Sequence, residues 1–423
     1  MPERHARRTR TALMVCLGAT LGACAGAGAR AAPSEQNFAE LERGRYLTTA
    51  ADCDACHTDP NDPRPFAGGR SIETPFGIVA AANITPDPDT GIGDWTEQQF
   101  EDAVRMGRLP DGSRLYPAMP YPYYTGMTPQ DVQAIWTYLR TLEPVHHEVK
   151  TNRLPFPFDI RAGMRLWDAL YFSPGAFVSS PEKSAEWNRG AYLVRAVGHC
   201  PACHTPKGRL GGDLDKQSLQ GYALQGWFAP NITNDVKSGL GDWSVRDVVE
   251  YLKTGHNRLT AATGPMAEEV IHSSSRMSDE DLKAVAAYLK DQPGQPAPSS
   301  ARSAQEPDMR AGAAIYSDLC AACHRQDGTG SAFLIPNLAG SSAVAARDPT
   351  SLLRIVIEGA KSAATADEPT APAMPAYGWQ LNDRQIAAVA TYIRNSWGHA
   401  ATATTLHDVQ TARNDLRARR GGG

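Results

Sequence analysis

Hydrophobic positions along the chain fall at helical rather than alternating spacing, and one arrangement of them occurs three times. Residues 128–142, 278–290 and 382–395 each begin at a strong helix-capping residue, Thr128, Ser278 or Asn382. Apolar residues then recur every three to four positions, as in Val132, Ile135, Trp136 and Leu139. Each of these closing helices carries a late tyrosine, Tyr138, Tyr288 or Tyr392. Upstream of each lies a helix-like lead with a glycine and an aromatic: Gly44 and Tyr46, Gly190 and Tyr192, Gly312 and Tyr316. Such a glycine lets the closing helix approach closely, and the aromatic is expected to fill the crossing as ordinary core packing.

The first two repeats also match in their middles. NITPDPDTGIGDWT at 83–96 mirrors NITNDVKSGLGDWS at 231–244, and a helix is predicted after each, from Thr96 or Ser244 to a stop at Gly107 or Gly255. The third repeat has only Pro336-Asn337-Leu338 there and is expected to be shorter. Residues 143–188 are rich in aromatics, and Ile160, Met164, Trp167 and Tyr171 share a helical face opposite Arg161, Arg165 and Asp168. They read as a strap across the first two repeats, with a docking or membrane-surface helix as the functional alternative. Residues 291–307 are a Pro/Ser/Ala linker, and the tail after Trp397 offers a short charged helix over 405–420 that is no membrane span.

Composition adds little until the cysteines are placed. The chain has 423 residues, 42% of them hydrophobic, enough for about three domains, and a net charge of -4 that does not suggest a nucleic-acid partner. Arg4, Arg7, Arg8 and Arg10 precede a short apolar run over 11–23, which reads as a secretory leader. Cleavage has two options: a lipobox-like Leu21-Gly22-Ala23-Cys24, which makes Cys24 a lipidated terminus, or the A-x-A site Ala29-Arg30-Ala31. Cys16 and Cys24 are otherwise discarded with the leader.

The other six of the eight cysteines form one phrase stated three times: Cys53-Asp54-Ala55-Cys56-His57, Cys200-Pro201-Ala202-Cys203-His204 and Cys320-Ala321-Ala322-Cys323-His324. C-x-x-C-H is the attachment signature of a c-type haem, with two thiols for the vinyl edge and the adjacent imidazole for the iron. Zinc needs a second cysteine pair near each phrase, and a dithiol redox site has no use for the histidine. The sixth ligand follows from spacing. Met374 is the only methionine after its phrase and lies in Pro372-Ala373-Met374-Pro375; the first repeat has the same four letters in Pro117-Ala118-Met119-Pro120. Gly264-Pro265-Met266 is the match in the second, and Met119 and Met266 both follow their first cysteine by 66 residues, Met374 by 54. Prolines are expected to hold an extended loop there. Met106, Met127 and Met277 sit at helix ends, while His256 and His272, the rivals in the second repeat, read as surface residues. Trp95 and Trp243 suit either a haem propionate or plain packing.

These residues resemble the trihaem cytochrome c subunits of bacterial membrane-bound dehydrogenases for alcohol, gluconate, sorbitol and fructose. The resemblance is carried by LYPAMPYPYYTGMTPQDVQAIWTYLRTL, RGAYLVRAVGHCPACHTPKGRLGG, APNITND with GLGDWS, and GPMAEEV, and runs from about Arg43 to Trp397. It implies a mainly α chain of three tandem class I-like cytochrome c domains wrapped around three covalent haem c groups. The expected divisions are a leader over 1–31, domains over 36–145, 184–292 and 308–398, an aromatic connector over 146–183, a linker over 293–307 and a charged tail over 399–423. His57, His204 and His324 with Met119, Met266 and Met374 match the family's ligand positions. A flavin-, pyrroloquinoline-quinone- or molybdenum-dependent catalytic subunit is the implied electron donor and membrane ubiquinone the acceptor, on the periplasmic side of the cytoplasmic membrane. Several members end in a hydrophobic anchor; this tail is charged, which leaves Cys24 lipidation or the 160–172 helix for attachment. A free periplasmic shuttle and a haem peroxidase are the rival roles, the second disfavoured by a methionine for every haem.

Overall fold

The computed structural model describes residues 35–294 and 302–421. The predicted leader, with Cys16, Cys24 and both cleavage options, and residues 295–301 of the linker lie outside the described residues.

The chain is mainly helical and forms three units in series. The first holds α1 (Glu35–Ala50), α2 (Cys53–His57), an antiparallel hairpin of β1 (Ser71–Thr74) and β2 (Gly77–Ala80), then α3 (Glu97–Met106), α4 (Tyr121–Tyr124) and α5 (Pro129–Leu139). A strap with α6 (Met164–Tyr171) follows. The second unit repeats the plan with α7 (Ala185–Tyr192), α8 (Pro201–His204), a hairpin of β3 (Tyr222–Leu224) and β4 (Trp227–Ala229), α9 (Val245–Thr254), α10 (Pro265–His272) and α11 (Asp279–Lys290). The third has α12 (Pro307–Ile315), α13 (Ala321–His324), α14 (Ser342–Ala345), α15 (Thr350–Glu358), the two-residue strands β5 (Ala360–Lys361) and β6 (Ala373–Met374), and α16 (Asp383–Arg394). The tail closes with α17 (Leu406–Gly421).

Local chemistry sets the helix ends. Thr96 and Ser244 form capping boxes with Gln99 and Asp247, worth about 1 kcal/mol each, and left-handed Gly107 and Gly255 terminate α3 and α9 as expected. The lead and closing helices cross pairwise, α1 on α5, α7 on α11 and α12 on α16. At each crossing the lead glycine touches bare backbone: a Cβ would lie 1.9 Å from the Ala134 carbonyl oxygen at Gly44, 1.8 Å from that of Ala284 at Gly190 and 2.2 Å from that of Ala388 at Gly312.

One hydrophobic core runs through the first two units, including Leu47, Val132, Leu139, Val194, Leu282 and Val285. A second core fills the third unit and takes in Val409 and Leu416 of α17. That tail helix also pairs Arg413 with Asp383 at 2.8 Å and Arg419 with Glu73 of the first hairpin, so it ties the third unit to the first. Among the described residues no helix is long and apolar enough to cross a membrane.

Two readings change. The lead tyrosines do more than fill crossings. The Tyr46 hydroxyl donates to Asp281 of α11 at 2.6 Å, and the Tyr192 hydroxyl donates to Asp131 of α5, so the first two units exchange the same bond in both directions. Arg43 and Arg189, each just before its glycine, complete the pairs with Asp131 and Asp281. Asp168 is not on the solvent side of the strap: it is buried, accepts from the Tyr121 hydroxyl at 2.6 Å and faces Arg114 at 3.3 Å. Helical phase alone put Asp168 with the arginines, because a single buried acid is invisible to an apolar-stripe argument. Otherwise the strap spans the two units as expected. Trp167 and Phe172 meet the Tyr121 ring edge-on, and the Trp167 indole donates to the Leu210 carbonyl at 2.8 Å.

Candidate haem attachment sites

Each C-x-x-C-H phrase forms one short helical turn directly after a lead helix, which sets the two cysteines three residues apart on the same side. In the second and third units the lead helix widens first into a π-helical turn, Leu193–Val197 and Tyr316–Cys320. In the first, left-handed Asp52 makes the corner. All six described cysteines are free. Cys56 is exposed, yet the surrounding protein pushes its thiol up to about 12, burial first and the Asp52 charge second. A thiol both accessible and heavily surrounded lies in the wall of a crevice. Burial likewise lifts Cys200 to about 12 and Cys203 and Cys320 to about 11, which keeps these free sulfurs protonated.

The histidines are held alike in all three units. The Nδ1 of His57 lies 2.7 Å from the Ala82 carbonyl oxygen, that of His204 2.7 Å from Pro230 and that of His324 3.1 Å from Pro336. A carbonyl only accepts, so Nδ1 carries the proton and Nε2 keeps its lone pair. Burial holds all three imidazoles below their ordinary pKa, which favours the neutral, ligating form.

The three accepting carbonyls escaped the sequence reading, although a signal stood beside them. Each belongs to the residue before an asparagine that fixes the next turn. Asn83 accepts from the Thr85 amide at 2.9 Å, Asn231 from that of Thr233 at 2.8 Å, and Asn337 from that of Gly340 at 2.9 Å. The matching Asn-Ile-Thr and Pro-Asn-Leu segments mark the loops that orient the proximal imidazoles.

The methionines share a partly buried setting but not a backbone. Met119 lies in a turn and packs with Cys53 and Cys200 against the first core. Met374 lies in β6 and packs with Cys320 and Tyr377 against the core of the third unit. Met266 differs from the extended loop expected, because Pro265 starts α10 there and pre-sets a helical φ. His256 is a correction: it is 4% exposed, with neither ring nitrogen bonded, whereas His272 reaches the surface and pairs with Asp54 at 2.9 Å. Trp243 is buried edge-on against Tyr251. Free thiols on one side of a crevice wall, an oriented imidazole beside them and a methionine in every unit together fit a thioether-linked haem better than any bare metal ion.

The first two sites are close neighbours. Helix α10 packs on α2, and Tyr124 places its ring edge-on to His199 while its hydroxyl donates to the Ala51 carbonyl at 2.6 Å.

The chain is similar to several known proteins. The gluconate 2-dehydrogenase cytochrome c subunit of Pantoea cypripedii is 39% identical over 91% of this chain and 92% of its own. The fructose dehydrogenase cytochrome subunit of Gluconobacter japonicus is 36% identical over 92% and 87%. The cytochrome c subunit of the quinone alcohol dehydrogenase of Gluconobacter oxydans is 35% identical over 94% and 87%. The family model for cytochrome c matches residues 41–143, 188–293 and 309–397, and each stretch contains one cysteine-paired turn with its oriented histidine. With that family comes covalently bound haem c, the group these crevices fit, and the chain belongs to the cytochrome c family.

Proposed function

We propose that the chain carries three haem c groups and relays electrons from the catalytic subunit of an alcohol-, sugar- or aldehyde-oxidising dehydrogenase to ubiquinone. The observation that carries this reading is the threefold repetition of one oriented imidazole beside a free cysteine pair. Cys53 and Cys56, Cys200 and Cys203, and Cys320 and Cys323 would hold the three groups through their sulfurs. His57 with Met119, His204 with Met266, and His324 with Met374 would supply the iron ligands. The domain limits 36–145, 184–292 and 308–398 place one group in each unit.

A bound haem supplies a one-electron iron couple, and a thioether ligand raises its potential. The chain's own work is to hold each imidazole still through its backbone carbonyl, which limits reorganisation on electron gain and loss. With a histidine and a methionine for each iron, the residues present would leave no iron position for an organic substrate. Relatives named as cytochrome subunits of gluconate, fructose and alcohol dehydrogenases support a dehydrogenase donor, whose own cofactor is a flavin, pyrroloquinoline quinone or molybdenum centre. Export places the protein at the periplasmic side of the cytoplasmic membrane, held peripherally or by lipid at Cys24.

Reconstitution tests the role. Alone, the holoprotein should leave alcohols, sugars and aldehydes unoxidised; with its dehydrogenase, substrate should reduce the haems and then ubiquinone. Turnover by the isolated cytochrome, or haem reduction that never reaches quinone, sinks the proposal.

A further inference from the structure

The strap helix α6 is firmly seated on one side and bare on the other. Trp167 and Asp168 anchor it, yet Ile160, Leu166, Leu170 and Tyr171 are 50%, 66%, 59% and 41% exposed. The apolar surface continues onto the second unit through Leu210 and Leu214, 47% and 41% exposed, because Trp167 bonds the Leu210 carbonyl and Tyr171 lies against Gly212. Single exposed apolar side chains need no explanation, but a joined patch on a rigid helix does. Its rim is basic. Arg165 and Arg209 are exposed, while Lys150 and Arg161 outnumber the one acid, Asp159, in a cleft of about 350 Å³ that Tyr116 and Asn152 also line. Among the described residues these four cations form no ion pair.

We propose that this face lies on the surface of an anionic bilayer, with the leucines in the headgroup boundary and the four cations on lipid phosphates. Apolar centre and unpaired basic rim are the complement of such a surface, and the short helix is suited to lie in its plane. The placement has a consequence for the relay, and this step rests on the proposed quinone-reducing role. The strap sits directly on the segment that carries Met119: Asp168 accepts from Tyr121, Phe172 meets the Tyr121 ring at 5.2 Å, and the Arg161 guanidinium lies 5.2 Å over the Tyr116 ring. The strap is therefore packed on the methionine segment of the first haem site, which makes that site the proposed exit toward a membrane quinone.

The test uses the full-length holoprotein carrying Cys24→Ala, so that no lipid anchor contributes, and vesicles of phosphatidylglycerol and phosphatidylethanolamine. The parent should float with the vesicles, less so at high salt. Leu166→Glu with Leu170→Glu should reduce flotation by at least about tenfold, since each buried leucine is worth more than one decade of partitioning. Both positions are exposed, so the three-haem spectrum should be unchanged. Arg165→Gln with Arg209→Gln should weaken binding to these vesicles and leave the residual binding to phosphatidylcholine vesicles alone. Equal flotation of the leucine variant, or no flotation of the parent, overturns the proposal. So does a leucine variant that floats normally but no longer associates with the dehydrogenase, which assigns the face to a protein partner. Reduction of a short-chain water-soluble quinone without vesicles tests the electron relay separately; the leucine variant should match its parent there, and failure of the parent in that assay strikes the relay and not the face.

Discussion

Replacing Gly190 by alanine should loosen the second unit by forcing its lead and closing helices apart. The added Cβ would stand 1.8 Å from the Ala284 carbonyl oxygen, 2.5 Å from its carbonyl carbon and 2.9 Å from Tyr288 Cβ. All three obstacles are backbone or the root of a side chain, so no rotamer change makes room. The helices α7 and α11 must part by more than about 1 Å to restore even a tight contact. Overpacking of this kind costs ~1–3 kcal/mol, and a rigid backbone obstacle belongs at the upper end. Alanine returns about 1 kcal/mol of helix propensity, leaving a net loss of roughly 2 kcal/mol. Denaturant unfolding, followed by the methionine-to-iron charge-transfer band and by far-ultraviolet circular dichroism, measures it. Gly163→Ala is the control, because a Cβ there meets nothing within 4 Å. A Gly190→Ala protein within about 0.5 kcal/mol of wild type would refute the argument that the crossing demands glycine.

Four further outcomes are expected. Met374→Ala should let reduced protein bind carbon monoxide at one haem only, read from the difference spectrum; binding at none, or at all three, contradicts the axial assignment. Denatured holoprotein should show three haem additions by mass spectrometry. Tyr46→Phe removes a 2.6 Å bond to a carboxylate that keeps its Arg189 partner, and should cost about 1–2 kcal/mol in denaturant unfolding. Burial raises Glu269 from 4.5 to about 7, against the opposing hydrogen bonds of Ser274 and Ser273, so the folded state holds an extra proton between those values and stability should fall as pH rises through that window; Glu269→Gln should flatten the slope between pH 5 and 7.

The helices and their limits were legible because their signals are local. Thr96 with Gly107 and Ser244 with Gly255 bound α3 and α9 by capping chemistry that needs no tertiary contact. Covalent haem c was legible because the attachment chemistry fixes residue type and spacing together. Seams between units were not. Asp131 and Asp281 lie in the first turns of α5 and α11, and nothing local says that each accepts a hydroxyl from the other unit. His256 read as a surface residue, but the Phe333–Pro336 segment of the third unit lies against it, a contact no local pattern announces. Met266 read as a loop residue because proline marks both a stiff loop and a helix start, and only the helical run after it separates the two.

The three repeats are therefore not equivalent links. The first two units share a core and a reciprocal pair of Tyr–Asp bonds, and neither bond can form unless both units are in register. Buried polar pairs of this sort add modest net stability but fix one arrangement over its neighbours. The third unit cannot join that exchange: Gln385 stands where Asp131 and Asp281 stand, and Tyr316 follows its glycine by four residues instead of two, donating to its own Arg325 carbonyl at 2.7 Å. It is joined instead through the segment that leads to Met266. The Asn337 amide donates to the Leu259 carbonyl at 2.9 Å, Thr263 pairs with Ser362, and Arg354 lies 4.5 Å over the Trp227 ring. Asn337 follows the carbonyl that orients His324, so one short hairpin links the proximal support of the third site to the approach of the second site's methionine. Electron transfer between fixed sites depends steeply on separation, and these backbone contacts hold the second and third units at a set spacing. A substitution that breaks the Leu259 or Thr263 contact should therefore slow transfer between the second and third haems while leaving the exchange between the first and second intact.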